Sequence, residues 1–306
     1  MIRYFLAAQG LKAFSMTPGT RRAYRAIGNR IGGRKRAARI NPSYIRRASE
    51  NLAWLEQALD IAPGMTILEL GTGWVHWESL FTRLFHPVRI VAMDVWDNRQ
   101  FDGFRRYCED LATRLDTEVP RPEGERQAAR ALLQRIARCP DFETVYRELG
   151  MRYVVEPSGR LNFQETGSVD AIISSDVLEH VPAEAFQTLV EDMFRVLKPG
   201  GVSSHQVVPA DHLCIYDRSA HPKNYLRYSN RTWRAFFQNE VQYVNRLQAS
   251  QIRAMFERAG FEDIRLEVTE RAPLGDLPLA AEFAGLDRDD LECAVFRMAA
   301  RKPRAA

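Results

Sequence analysis

Hydrophobic positions change their period along the chain, and the changes mark elements. Near the start, "TPGTRRAYRAIGNRIGG" opens on Thr17-Pro18 and meets Gly32-Gly33, the punctuation of a helix with its stop. Tyr44, Ala48, Leu52, Leu55 and Leu59 recur at helical spacing, and Pro63-Gly64 closes that helix. From there short apolar runs alternate with amphipathic stretches. "MTILEL", "RIVAMDV", "DAIISSDV" and "GVSSHQVV" read as buried strands. Residues 75–85, with Leu80, Leu84 and Phe85 inward, read as a helix, as do "AEAFQTLVEDMFRVL" and "ASQIRAMFERAGF". "DIRLEVTE" alternates as a half-buried strand, and "ECAVFRMAA" reads as the last one. Alternation at this spacing predicts an α/β fold: a doubly wound sheet with helices on both faces.

One connection exceeds a single crossover. Between the strand ending at Asp94 and "MRYVV", residues of about 100–150 hold three helical patterns: "FDGFRRYCEDLATRLD", "EGERQAARALLQRIAR" and "FETVYREL". They are expected to form an insertion over the sheet edge, in the manner of a lid.

Composition divides the chain. Residues 1–49 hold twelve Lys/Arg and no Asp/Glu, although the whole chain has 43 basic and 39 acidic residues. A basic helical arm, 1–49, thus precedes a mildly acidic body, 50–306. Such an arm suits its own domain, a nucleic acid or anionic lipid. Ile2, Phe5, Leu6, Leu11 and Phe14 add apolar contacts, so peripheral attachment to an inner membrane face is one expectation. No run approaches the roughly 18 apolar residues of a membrane span. The first residues show no cleavage signature, and the four cysteines form no CxxC pair, which together point to a reducing cytoplasm.

The chemistry centres on "ILELGTGWVH", Ile67–His76. Gly71 and Gly73 follow a strand, where a doubly wound sheet binds ligands. Glycine permits a tight turn and close approach to the main chain. Two ligand classes fit. A dinucleotide wants GxGxxG, but the third glycine's place holds His76 and Trp74 adds bulk where close approach is needed. S-adenosylmethionine has an ammonium group that Glu69 can help hold and a ribose diol that Asp94 can accept from.

"ILELGTGWV", "VAMDV", "SVDAIISSDVLEHV", "RVLKPGG" and "MFERAGFEDIRLE" stand in an order and spacing that resembles the class I S-adenosylmethionine-dependent methyltransferases, from about Gly64 to Glu270. The resemblance implies a Rossmann-like sheet of seven strands, the last antiparallel. It implies that Glu69, Gly71, Thr72 and Gly73 line the methionine end of the cofactor. Asp94, with Val95, would bind the ribose, and Ser175 and Asp176 would lie along the cofactor. The family's common third glycine is Val75 here, and only Glu156 stands near the expected adenine acid.

The acceptor is expected to present oxygen. The stretch after the fourth strand, "SSDVLEHVP", lacks the proline-aromatic motif of base-amine methylation, and no Pro-Cys pair serves a cytosine-type nucleophile. The stretch from Ser203 to Ser250 holds His205, His212, His221, Asp211 and Asp217 among Tyr216, Tyr225, Tyr228 and Trp233, a mixture suited to a sugar, glycan precursor or polyhydroxylated metabolite. It also resembles methyltransferases of bacterial surface-polysaccharide and natural-product enzymes. His212, His205 and His180 are the candidate bases. A metal on His205, Asp211 and His212 matches no standard ligand spacing, so none is expected. Trp233, Phe236 and Phe237 fall at helical spacing and read as core. A nucleic-acid methyltransferase using the arm and a non-catalytic scaffold of the same fold are the alternatives.

Overall fold

The computed structural model describes residues 2–36 and 40–304; residues 37–39, with the arm's Arg39, lie outside the described residues, as do Met1 and 305–306. Three helices come first: α1 (Ile2–Ser15), α2 (Pro18–Arg36) and α3 (Pro42–Ala58). Then follow β1 (Thr66–Leu70), α4 (Trp77–Phe85), β2 (Arg89–Asp94), α5 (Phe101–Glu118), α6 (Glu123–Ala137), α7 (Phe142–Leu149), β3 (Met151–Val155), β4 (Val169–Ser175), α8 (Ala183–Val196) and β5 (Leu197–Val207). The chain closes through α9 (Asn230–Phe236), α10 (Ala249–Arg258), β6 (Glu262–Arg271), α11 (Arg288–Leu291) and β7 (Cys293–Arg301).

The sheet order is β3-β2-β1-β4-β5-β7-β6. Strands β1 to β5 pair in parallel and β7 runs antiparallel to both neighbours. β1 shows why its sequence is apolar throughout. Ile67 faces a core with α3 to α7, while Leu68 and Leu70 face another with α8 and α10, so neither face meets water. α2 runs past Gly32-Gly33, since helix-interior glycines cost only about 1 kcal/mol each.

The insertion differs from a lid. Leu111, Leu115, Leu132, Leu133, Ile136, Val145 and Leu149 of α5 to α7 belong to the same core as Ile67, Leu80 and Ile90. The three helices are a structural wall on one face of the sheet.

The arm also packs. Tyr4, Ala8 and Leu11 of α1 are buried against Leu213, Tyr225, Trp233, Phe237 and Phe283, a third core beyond the carboxyl ends of the strands. Gln9 and Lys12 donate to the free carbonyls of Phe236, Arg234 and Ala235, which end α9. Tyr225 and Trp233 lie inside this core and offer no platform for an acceptor; Phe236 is exposed instead of buried.

Candidate active site

The glycine turn is set by contacts of the chain itself. Gly71 has φ +63°, and a Cβ there would lie 2.6 Å from Val177, so this position excludes a side chain twice over. Gly73 has φ +67°, but a Cβ would meet nothing within 4 Å. Its N–H donates to Asp94 Oδ2 at 3.1 Å, and Val95 N–H donates to Oδ1 at 2.8 Å. Asp94 thus stands at the end of β2 against the turn. Burial raises its pKa, opposed first by the Gly73 bond. Nearby Asn98 is buried with Oδ1 unpartnered. An open position over Gly73, a carboxylate and an orphaned acceptor fit a ligand bearing hydroxyl donors.

Glu69 is inside the protein. It accepts from Thr72 Oγ at 2.5 Å and from the Ser79 hydroxyl, and burial lifts its pKa to about 7. It shapes the turn from beneath. The place of a third dinucleotide glycine is explained too. His76, left-handed at φ 46°, is fully buried, with Nδ1 2.9 Å from Thr72 Oγ and Nε2 2.8 Å from the Tyr146 hydroxyl. Phe142, Tyr146 and Tyr153 surround its ring at centroid distances of 5.2–5.6 Å. Burial depresses its pKa to about 3, so the ring is neutral. A relay therefore runs from α7 through His76 and Thr72 to Glu69, and fastens the turn to the inserted wall.

Ser175 and Asp176 end β4. Asp176, at φ 57°, accepts from Gln206 Nε2 at 2.9 Å and pairs with Arg47 Nη1 at 2.7 Å. Arg47 of α3 also pairs with Glu78 at 3.0 Å. Ser175 Oγ lies 3.5 Å from Asn51 Nδ2. Glu156 turns away to its own loop, accepting from Ser158 N–H and hydroxyl. The arm roofs the turn: Asn29 accepts from Trp74 Nε1 at 3.1 Å, and Arg25 lies 4.5 Å over Trp96.

The three candidate histidines separate. His205 is sealed in β5, its ring nitrogens each 2.7 Å from a hydroxyl, Ser174 and Ser203, and burial lowers its pKa to about 3. With both nitrogens engaged inside the sheet, it is removed as a base for an outside acceptor. Asp211 faces away from His212; it accepts from the Tyr4 hydroxyl at 2.5 Å and from Leu213 N–H at 2.9 Å. The set His205, Asp211 and His212 is therefore not assembled.

His180 and His212 do meet, with ring centroids 4.8 Å apart. His180 sits on the 3-10 turn Leu178–His180 after β4, and His212 opens the turn His212–Ile215 after β5. Burial lowers both pKa values, that of His212 to about 4, with the neighbouring imidazole adding to the effect at His212. His180 Nδ1 is 2.6 Å from the Tyr243 carbonyl and so carries the proton, which leaves Nε2 as an acceptor. Beside them Glu179 is 1% exposed. Neither of its carboxylate oxygens has a hydrogen-bond partner, although main-chain N–H groups of Glu179 and Val208 lie close enough to favour its charge. Burial raises it well above the usual carboxylate range.

Glu179 was invisible as a site residue in the sequence, as were Asn98, Arg47 and Asn245. Asn245 Nδ2 donates to the carbonyls of Leu178 at 2.8 Å and Val181 at 3.0 Å, while its N–H donates to Glu179 O at 2.9 Å.

The family comparison agrees with this geometry. The methyltransferase-domain family matches residues 42–266, and the chain belongs to it. Within that family its fold and turn place it among the class I S-adenosylmethionine-dependent methyltransferases. Comparison with curated proteins finds no match. Among solved structures the chain is similar to Haemonchus contortus phosphoethanolamine N-methyltransferase 2 in complex with S-adenosyl-L-methionine. The two share 17% identity over 83% of this chain and 52% of that one, with a TM-score of 0.47. The chain thus spans about half the length of that protein. It is also similar to an S-adenosylmethionine-dependent methyltransferase from Mesorhizobium loti, with 15% identity over 82% of this chain and 96% of that one and a TM-score of 0.41. S-adenosylmethionine supplies an electrophilic methyl on sulfonium sulfur. The Gly71–Gly73 turn, Asp94 and Asn98 are the residues that would hold it.

Proposed function

We propose that the protein methylates a hydroxyl oxygen of a polyhydroxylated acceptor, a sugar or glycan precursor being the class intended. The observation that carries this reading is the pair His180 and His212, neutral and in contact at the carboxyl ends of β4 and β5. A hydroxyl is a weak nucleophile until its proton is drawn off, and a proton acceptor held in place is worth roughly 10²–10⁴ in rate. A carboxylate acceptor would need no such group. Val177, in contact range of Gly71, ties the histidine turn to the cofactor turn. The test is a screen of nucleotide sugars, free sugars and polyols for S-adenosylhomocysteine release, with the product's methyl located by NMR. A methyl on oxygen supports the reading; a methyl on nitrogen or carbon, or transfer to RNA alone, overturns it.

The outer faces of α1 and α2 supply a second element of the proposal, a resting place on anionic lipid. Ile2, Leu6, Met16, Ile27 and Ile31 are exposed, interleaved with exposed Arg3, Arg22 and Arg30. Such a face gains from both apolar insertion and attraction to lipid phosphate. Among the described residues no helix is long and apolar enough to cross a membrane. Sedimentation with anionic vesicles should fall sharply in the pair Ile27→Asp and Ile31→Asp; equal sedimentation of both proteins refutes the contact.

A further inference from the structure

Glu179, His180 and His212 converge in a way that neither the fold nor the cofactor requires. One ligand atom from each lies within 4.8 Å of the other two. We propose that these three residues form a binding site for one divalent cation of the zinc or manganese kind, placed to bind the acceptor's hydroxyl oxygen.

Four observations carry it. First, Glu179 is buried with neither carboxylate oxygen paired by another side chain, and a bound cation would offset the desolvation of its charged form. Second, the chemistry of the set is suitable: two imidazoles and one carboxylate bind such cations and leave coordination positions open for an outside oxygen. Third, His180 is oriented as metal-bound histidines are, its Nδ1–H donated to a main-chain carbonyl, Tyr243 O, and Nε2 turned free. Fourth, the turn is held from outside by Asn245, whose N–H and side-chain amide donate to the carbonyls of Leu178, Glu179 and Val181. Ligands about 2.1 Å from one ion stand roughly 3.0–3.4 Å apart, so side-chain rotations of about an ångström complete the site. Asp176, although near in sequence, is committed to Arg47 and Gln206 and is not a ligand.

The site rests on the hydroxyl-acceptor reading for its purpose, though not for its existence, and with the cation bound His180 and His212 are its ligands, the cation taking over from them the activation of the hydroxyl. A bound cation lowers the pKa of a coordinated hydroxyl. The acceptor's O–H bond breaks and its proton leaves to solvent. The oxygen lone pair forms the new bond to the methyl carbon, and the carbon–sulfur electrons stay on sulfur. One proton is released per turnover and the cation's charge does not change.

The test uses the full chain after chelator treatment, titrated with cobalt(II) chloride and followed by visible absorption and calorimetry. One equivalent should bind with a visible band, and Glu179→Gln and His212→Ala should each weaken binding by at least about tenfold. His221→Ala, outside the cluster, should bind like the parent. S-adenosylhomocysteine affinity and thermal unfolding of each variant establish that it is folded. Absence of saturable cobalt binding, or binding unchanged in folded Glu179→Gln and His212→Ala, overturns the site. The two proposals fail separately. Cobalt binding with no O-methylated product sinks the acceptor reading alone. An O-methylated product formed at full rate by chelator-treated protein that takes up no cobalt sinks the cation site alone.

Discussion

Asn245 holds Glu179 in place without touching its carboxylate: its main-chain N–H donates to Glu179 O at 2.9 Å, and its side-chain amide spans the carbonyls of Leu178 and Val181. Replacing it by alanine removes three side-chain bonds, the third being the one Leu247 N–H donates to Oδ1 at 3.0 Å, and leaves partly buried carbonyls unmatched. Asn245→Ala should cost about 1–3 kcal/mol of stability. Turnover should fall while S-adenosylhomocysteine affinity stays near the parent value. Denaturant unfolding and calorimetry on the same preparation separate the two effects.

The two glycines of the turn should respond differently. Gly71→Ala combines a left-handed backbone with a 2.6 Å approach to Val177, and should cost roughly 2–4 kcal/mol. Adding Val177→Ala should return part of that loss, because only the clash is relieved. Gly73→Ala keeps open space and should cost only about 1–2 kcal/mol in backbone strain, while donor affinity drops. Thermal unfolding of the three variants forms the check.

Asp94→Ala should weaken S-adenosylhomocysteine binding by about 1–3 kcal/mol through lost hydrogen bonds to the ribose. Titration calorimetry reads it directly. Affinity equal to the parent's would put the ribose elsewhere.

Glu69 should tie stability to pH with an unusual sign. Its pKa rises from 4.5 in the unfolded chain to about 7 in the fold, with burial the cause. Between those values the folded state keeps a proton that the unfolded state has released. The contribution is therefore whole below about pH 4.5 and is lost as pH rises to about 7, at roughly 1.4 kcal/mol per unit at most. Glu69→Gln should remove this slope. Urea unfolding of both proteins at pH 5, 6 and 7 makes the comparison, and parallel curves would contradict it.

Much of the architecture was readable because it is local. The glycine turn, Asp94 at its strand end and the individual strands β6 and β7 each follow from period and punctuation within a dozen residues or so, while the antiparallel closing of the sheet came with the family resemblance. His205 was misread for a physical reason. From Gly201 to Val207 the strand is buried on both faces, so no alternation reveals which way a polar side chain points. Tyr225 was misread as an acceptor contact because a 3-10 turn carries no clear period, whereas Trp233, read as core from its helical spacing, is buried there. Their burial depends on α1, which arrives from the other end of the sequence. The wall of α5 to α7 was located correctly, but its role was not, since an amphipathic helix packs as well on a sheet as on a lid. Glu179 and His212 meet only through the parallel pairing of β4 with β5, which no local pattern reports.

The burial of Tyr4 against Asp211 has a consequence for biogenesis. Helix α1 is synthesised some two hundred residues before the segment that receives it. Until that segment folds, its apolar side must stay in water, and such long-range closure is slow and prone to aggregation. The histidine loop is thus finished only when a helix made some two hundred residues earlier returns to seat behind it, so shielding that helix during synthesis should raise the yield of folded protein.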